Sequence, residues 1–234
     1  MLNELRETVL QANLELERMG LVIYTWGNVS GIDRAKGLVV IKPSGVDYCD
    51  MTAGDLVIVD LDGNVIEGSL RPSSDTPTHL ELYKAFPSIG GVAHTHSTQA
   101  VAWAQAGRDI PALGTTHADY FHGPVPCTGS LAPEEITGDY EAATGRLITR
   151  TFLNLDPMET PAVLVRNHGP FTWGKDAAQA VYHARVLEEV ARMARLTLEL
   201  NPHATFPEEL GEKHFMRKHG PEAYYGQEHP EADC

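Results

Sequence analysis

The stretch Leu56-Val57-Ile58-Val59-Asp60-Leu61-Asp62-Gly63-Asn64-Val65-Ile66-Glu67 decides what kind of sheet this chain builds. Leu56–Asp60 and Asn64–Glu67 are rich in β-branched residues, which favour strands. Asp62-Gly63 between them is a turn dipeptide that commonly joins two adjacent antiparallel strands. The stretch therefore predicts a β-hairpin and an antiparallel beginning to the sheet.

The apolar pattern on either side of the hairpin predicts the remaining elements. Further strands are expected at Leu21–Trp26, Leu38–Ile41, Gly91–His94 and Ala162–Val165. Helices are expected before Gly20, from about Pro77 to Phe86, over Thr98–Ala106, from Pro133 and over Asp176–Leu200. Strict βαβ alternation is missing, so we predict a mixed α/β fold with three α/β/α layers, in which a largely antiparallel central sheet carries helices on both faces.

Length, charge and cysteine usage limit the class of protein. The 234 residues are 42% hydrophobic, which suffices for one sizeable core, and we expect a single domain over 1–227 with a flexible extension over 228–234. A formal net charge of −14 argues against nucleic-acid binding. No apolar stretch is long enough to span a membrane. The three cysteines form no Cys-x-x-Cys pair, which fits a reducing cytoplasm. From Lys213 onward the composition predicts a loose terminus.

Three histidines suggest a metal centre. In Ala93-His94-Thr95-His96-Ser97 an extended backbone would point the imidazoles of His94 and His96 to the same side, since alternate residues of a strand share a face. His168 ends another apolar run and could supply a third imidazole. Three such ligands would form a facial triangle on a divalent cation and leave coordination positions open, as catalytic sites require.

Asp75 and Asp119 each have two possible roles. Asp75 stands before Thr76-Pro77, where it is either the cap of a helix or a carboxylate beside the histidines. The spacing does not decide between them. Asp119 is either a turn residue or a general acid/base.

Three short loops could cradle a phosphate group, because each combines small residues, hydroxyls or amides and two of them carry a cation. Individually each loop also fits an ordinary turn. They are Gly27-Asn28, Lys42-Pro43-Ser44-Gly45 and Arg71-Pro72-Ser73-Ser74.

Several of these motifs occur in a fixed order that is specific as a set. They are Thr25-Trp-Gly-Asn-Val-Ser30, Ile41-Lys-Pro-Ser-Gly-Val46, Pro72-Ser-Ser-Asp-Thr-Pro-Thr-His79, His94-Thr-His-Ser97, Gly114-Thr-Thr-His-Ala-Asp-Tyr-Phe121 and His168-Gly-Pro-Phe171. Through them the chain resembles the class II aldolase family over most of its length. Within that family it resembles the L-ribulose-5-phosphate 4-epimerases.

The resemblance implies roles for individual residues. It implies one Zn²⁺ per subunit, bound by Asp75, His94, His96 and His168, although the donor set also suits other divalent metals. It implies contacts to substrate phosphate and hydroxyl groups at Gly27, Asn28, Ser44, Gly45, Ser73 and Ser74, with which we group Lys42 as substrate-binding. It also implies that Asp119 and Tyr225, supplied by a neighbouring subunit of a cyclic homotetramer, form the acid/base pair.

The implied reaction interconverts L-ribulose 5-phosphate and D-xylulose 5-phosphate by retro-aldol cleavage of the C3–C4 bond, rotation of glycolaldehyde phosphate and re-addition. The alternative is a phosphosugar aldolase that uses the same metal site and releases the aldehyde. The similar aldolases have glutamate where this chain has Asp75, which favours the epimerase. His122 departs from the pattern, which has tyrosine there. The fold also resembles the head domain of adducin, an interaction module, but the complete donor set argues against a purely structural role.

Overall fold

A computed structural model describes residues 2–224, and their central feature is an antiparallel sheet. The strands are β1 (Asn28–Asp33), β2 (Leu38–Ile41), β3 (Val57–Asp60), β4 (Val65–Glu67), β5 (Gly91–His94), β6 (Ala162–Leu164) and β7 (Pro170–Gly174). Their order in the sheet is β4-β3-β2-β1-β5-β7-β6, and each neighbouring pair is antiparallel. The predicted hairpin is β3–β4.

Helices connect and cover these strands. They are α1 (Asn3–Arg18), α2 (Thr76–Ala85), α3 (Thr98–Ala106), α4 (Thr115–Ala118), α5 (Pro133–Thr137), α6 (Tyr140–Thr151), α7 (Ala177–Leu200) and α8 (Glu208–His219). Among residues 2–224 no helix is both long and apolar enough to cross a membrane.

The sheet separates two apolar layers, which confirms the predicted mixed α/β architecture. Successive residues of β5 show the separation: Ala93 packs towards α1 and α7, whereas Val92 packs towards α2 and α6. This is the expected result of strand pleating, which turns consecutive side chains to opposite faces. His94 shares the face of Val92, so it points to the α2 and α6 side of the sheet.

Two sequence predictions about secondary structure are wrong. Leu21–Trp26 forms a turn instead of a strand, in which Tyr24 has φ 54° and the N–H of Trp26 donates to the carbonyl of Ile23 at 3.1 Å. The strand starts after it, at Asn28. The expected loose terminus also differs, because Lys213–His219 belongs to α8, where Phe215 is buried.

Three central strands have their ends close together, on the same side of the sheet along the strand direction. β1 begins at Asn28, β5 ends at His94, and β7 begins at Pro170. In the register Asn28 lies opposite His94, and His94 lies opposite Phe171. Residues that are far apart in sequence are thereby brought to one place.

Candidate metal centre and anion cavity

Three imidazoles converge at these strand ends. His94 ends β5, His96 follows two residues later, and His168 lies in the turn between β6 and β7. Their ligand nitrogens lie within 4.8 Å of one another, and Nε2 of His94 is 3.1 Å from Nε2 of His96. The structure therefore brings the three predicted histidines together.

The turn that carries His168 is held by its backbone. Asn167 has φ 62°, a left-handed conformation that asparagine tolerates, and its N–H donates to the carbonyl of Ala104 at 3.0 Å. Gly169 follows because nothing larger fits. A Cβ there would lie 2.8 Å from the carbonyl oxygen of Thr95 and 3.3 Å from Cδ2 of His96.

The hydrogen bonds of His94 select one tautomer. Its Nδ1 lies 2.9 Å from the carbonyl oxygen of Pro170, which only accepts hydrogen bonds, so Nδ1 carries the hydrogen and Nε2 keeps a lone pair. The ring stacks on Phe171 at 4.2 Å. Burial lowers the pKa of His94, His96 and His168 below the ordinary histidine value, which favours neutral imidazoles. Neutral imidazole is the form that binds metals.

Asp75 does not act as a side-chain cap. It stands at the start of α2, but its carboxylate makes no capping hydrogen bond; instead Oδ2 accepts from Nδ2 of Asn28 at 2.7 Å. Burial raises the pKa of Asp75, but the facing imidazoles, led by His94, and the bond from Asn28 outweigh burial and hold it below its usual value.

Three neutral imidazoles and one carboxylate are a donor set that fits Zn²⁺ or a similar divalent cation. Asp75 lines the same cavity as the histidines, but within residues 2–224 it is not part of the group whose ligand atoms lie within 4.8 Å.

The cavity above the histidines has a volume of about 430 Å³. It is lined by the substrate-binding residues predicted from the sequence together with the predicted metal ligands, namely Gly27, Asn28, Lys42, Ser44, Gly45, Ser73, Ser74, Asp75, His94, His96 and His168. The other lining residues are Thr25, Trp26, Pro43, Tyr140 and Glu141. Pro43 belongs to a predicted anion loop, and Thr25 and Trp26 belong to the first family motif, but the sequence did not single them out. Tyr140 and Glu141 lie in α6, a helix that the sequence did not predict.

Family membership follows from a comparison of the sequence with known families. The profile described as "Class II Aldolase and Adducin N-terminal domain" matches residues 7–195, most of the chain. This protein belongs to the class II aldolase and adducin family.

Several solved structures share the architecture of this chain. An L-fuculose 1-phosphate aldolase is 25% identical, with a TM-score of 0.77 over 90% of this chain and 94% of the other. YgbL from Klebsiella pneumoniae, described as a putative aldolase/epimerase/decarboxylase, is 25% identical with a TM-score of 0.71 over 90% and 97%. L-fuculose 1-phosphate aldolase from Glaciozyma antarctica PI12 is 19% identical, with a TM-score of 0.76 over 92% and 81%, which shows the fold alone.

In this class II aldolase-like chain, two of the three predicted anion loops are joined through their backbones. The N–H of Ser44 donates to the carbonyl of Arg71 at 2.9 Å, and the N–H of Ser73 donates to the carbonyl of Lys42 at 3.0 Å. These two N–H groups are therefore occupied, and contacts to an anion fall to the serine hydroxyls and to neighbouring groups.

The side chain of Lys42 is buried beside its own loop, Lys42-Pro43-Ser44-Gly45. Its side chain is 1% exposed, its ammonium donates to the carbonyl of Val46 at 2.8 Å, and it lies 4.8 Å from the ring centre of Tyr48. Burial lowers the pKa of Lys42 to about 8. The hydroxyl of Tyr48 in turn donates to the carbonyl of Gly27 at 2.9 Å, so the same contacts connect the first and second loops.

Asp119 lies apart from this cavity in the single chain. Its carboxylate accepts hydrogen bonds from Nδ1 of His214 at 3.0 Å and from Arg217 at 2.9 Å, and Nζ of Lys218 is 3.5 Å away. Burial raises the pKa of Asp119, but these α8 side chains, led by Arg217, lower it further than burial raises it. Tyr225, the other predicted catalytic residue, lies outside the described residues.

Proposed function

We propose that the protein is a divalent-metal-dependent L-ribulose-5-phosphate 4-epimerase. One observation carries the proposal: a group of three histidines and the hydroxyl-bearing loops line the same cavity. A phosphosugar needs both features, a cation beside its carbonyl and hydroxyl oxygens and donors around its phosphate. Family membership supports aldolase-type chemistry, and the motif resemblance to the epimerases supports this reaction.

His94, His96 and His168, with Asp75, would hold the cation, and Zn²⁺ is the one we propose. When bound, it would supply Lewis-acid stabilisation of negative charge that develops on substrate oxygens. Asn28 holds the carboxylate of Asp75 through a 2.7 Å hydrogen bond. This bond would keep the carboxylate oriented towards the site.

The loops would retain the phosphate while the carbon–carbon bond breaks. Cleavage of C3–C4 yields glycolaldehyde phosphate, and inversion at C4 requires this fragment to rotate without leaving. Ser44, Ser73 and Ser74 supply hydroxyl donors at the cavity wall, and Lys42 adds positive charge beneath the loop. A volume of about 430 Å³ falls within the ordinary range of ligand sites and leaves room for rotation.

Asp119 and Tyr225 would transfer protons at the C4 oxygen. In this proposal a neighbouring subunit of a cytoplasmic homotetramer supplies both residues. One observation agrees with a borrowed residue: Asp119 is not among the residues that line the cavity of its own chain. Tyr225→Phe should leave metal content intact and slow epimerisation. A wild-type rate would remove Tyr225 from the proposal.

An aldolase that releases its aldehyde is the second candidate, favoured by the similarity to an L-fuculose 1-phosphate aldolase. The residue at position 75 argues the other way, because the shorter aspartate is the epimerase pattern. A glutamate would extend a carboxylate further towards the substrate.

The deciding experiment supplies metal-replete protein with L-ribulose 5-phosphate and follows D-xylulose 5-phosphate and free glycolaldehyde phosphate in the same reaction. Formation of xylulose 5-phosphate with little free aldehyde is the expected result. Accumulation of aldehyde would move the assignment to an aldolase. A metal-loaded protein that turns over neither way would refute both functions for this substrate.

A further inference from the structure

The second ring nitrogen of a metal-binding histidine decides how the first is presented. A partner that accepts a hydrogen bond from Nδ1–H fixes the tautomer in which Nε2 offers its lone pair. Pro170 supplies this partner for His94 at 2.9 Å. For His168 the partner is a side chain, since Nδ1 of His168 lies 3.3 Å from the hydroxyl oxygen of Tyr140.

Tyr140 comes from a different part of the chain and is the first residue of α6. Its ring centre lies 6.2 Å from that of His168, and its side chain lines the cavity. A phenolic oxygen can accept one hydrogen bond and still donate its own hydrogen. Tyr140 can therefore hold His168 and still offer a donor to a ligand oxygen in the cavity.

The packing of α6 against α2 fixes the position of Tyr140. Oγ1 of Thr78 in α2 donates to the carbonyl of Glu141 at 2.7 Å, directly beside Tyr140. The helices approach so closely at Gly145 that a Cβ there would lie 2.5 Å from Cβ of Glu81. Asp75 stands at the beginning of α2, so the same helix pair positions both the carboxylate and the tyrosine.

We propose that Tyr140 is a positioning residue of the metal centre, whose hydroxyl oxygen accepts the Nδ1–H of His168 and so holds the Nε2 lone pair towards the cation. The inference rests on the proposed function, because it requires a divalent cation on the histidines.

Tyr140→Phe tests this role because it removes the hydroxyl and keeps the ring. Metal-free protein is titrated with Zn²⁺ and Co²⁺ in competition with a chromophoric chelator. Loss of a hydrogen-bond partner of a metal-bound histidine typically weakens binding about 10- to 100-fold, and we expect a loss in this range. We also expect a changed visible absorption spectrum of the Co²⁺ protein, a signal that a general loss of stability would not produce.

Tyr182→Phe is the matched control. It also removes a hydroxyl, which bonds to the hydroxyl of Tyr120 at 3.0 Å, but Tyr182 lies in α7 and does not line the cavity. It should bind metal like the wild type. Undiminished affinity and an unchanged Co²⁺ spectrum in Tyr140→Phe would overturn this inference alone. A wild-type chain that binds no metal would overturn the proposed function and the inference with it.

Discussion

Gly169→Ala should damage the metal centre without removing any of its ligands. Gly169 follows His168, and a Cβ at this position would lie 2.8 Å from the carbonyl oxygen of Thr95 and 3.6 Å from Cε1 of His94. Thr95 separates His94 from His96 and is 1% exposed, so its backbone is enclosed by protein atoms. The added methyl must therefore push the His94–His96 segment away from the turn that carries His168.

The contact distances set the size of the effect. A 2.8 Å approach is shorter than real Cβ contacts allow, and overpacking of a buried site costs about 1–3 kcal/mol. If this strain acts on the bound geometry of the histidines, the metal affinity falls about 5- to 140-fold, since about 1.4 kcal/mol corresponds to a factor of ten. Any remainder of the strain should lower the free energy of unfolding of the metal-free protein.

Chelator competition measures the affinity of the variant, and urea denaturation of metal-free protein measures its stability. Gly129→Ala is the control, because a Cβ there meets nothing within 4 Å. The reasoning is refuted if Gly169→Ala matches this control in both metal affinity and free energy of unfolding.

Three further predictions concern His96 at the site and two contacts elsewhere in the chain. His96→Asn should reduce metal content and turnover together; full turnover with unchanged metal content, measured by elemental analysis, would exclude His96 as a ligand. Glu188→Gln should destabilise the chain by about 1 kcal/mol in urea denaturation, since the carboxylate accepts from two N–H groups at the start of α3 at 2.8 and 3.0 Å; an unchanged midpoint would contradict this. His122→Gln should be less stable than the wild type at about pH 6, and the difference in stability should close as the pH rises. Burial lowers the pKa of His122, but Glu212 and Glu159 raise it above 6.5 overall. The stabilisation by protonated His122 is therefore present below the pKa of the unfolded state and is lost as the pH rises through the pKa of the folded state. A pH of about 6 is chosen because it lies between the ordinary pKa values of glutamate and histidine. Thermal unfolding between about pH 6 and pH 9 measures the difference in stability, and a difference that does not change with pH would contradict the assignment.

The sequence predicted correctly those elements that depend on their own local residues and not on tertiary contacts. The β3–β4 hairpin formed as expected because Asp62-Gly63 supplies a turn, and Gly63 has φ 89°. Leu21–Trp26 misled because aromatic and β-branched residues also serve at exposed positions: Tyr24 is 79% exposed in a turn. The composition of α8 did not predict a helix, because tertiary contacts hold it in place. They include the hydrogen bonds of Arg217 to Asp119 and the burial of Phe215.

The candidate site was predictable where its residues are neighbours in sequence and unpredictable where they are not. His94 and His96 could be paired from their spacing. The role of Asp75 could not be derived from spacing, because it depends on Asn28, 47 positions away. The contact of Tyr140 with His168 depends on how α6 packs on α2, and no local pattern encodes that packing.

The position of β5 between β1 and β7 links a bound cation to the order in which the chain folds. His94 and His96 are close even in an unfolded chain and can chelate a cation weakly there. The third imidazole arrives only once β5 and β7 have paired, as in the contact between His94 and Pro170, 76 positions apart. Such distant contacts form slowly. A cation at this site would therefore bind tightly only to the assembled centre of the sheet, and at a hundred times its Kd would stabilise the native state by about 2.7 kcal/mol, less whatever the unfolded pair retains.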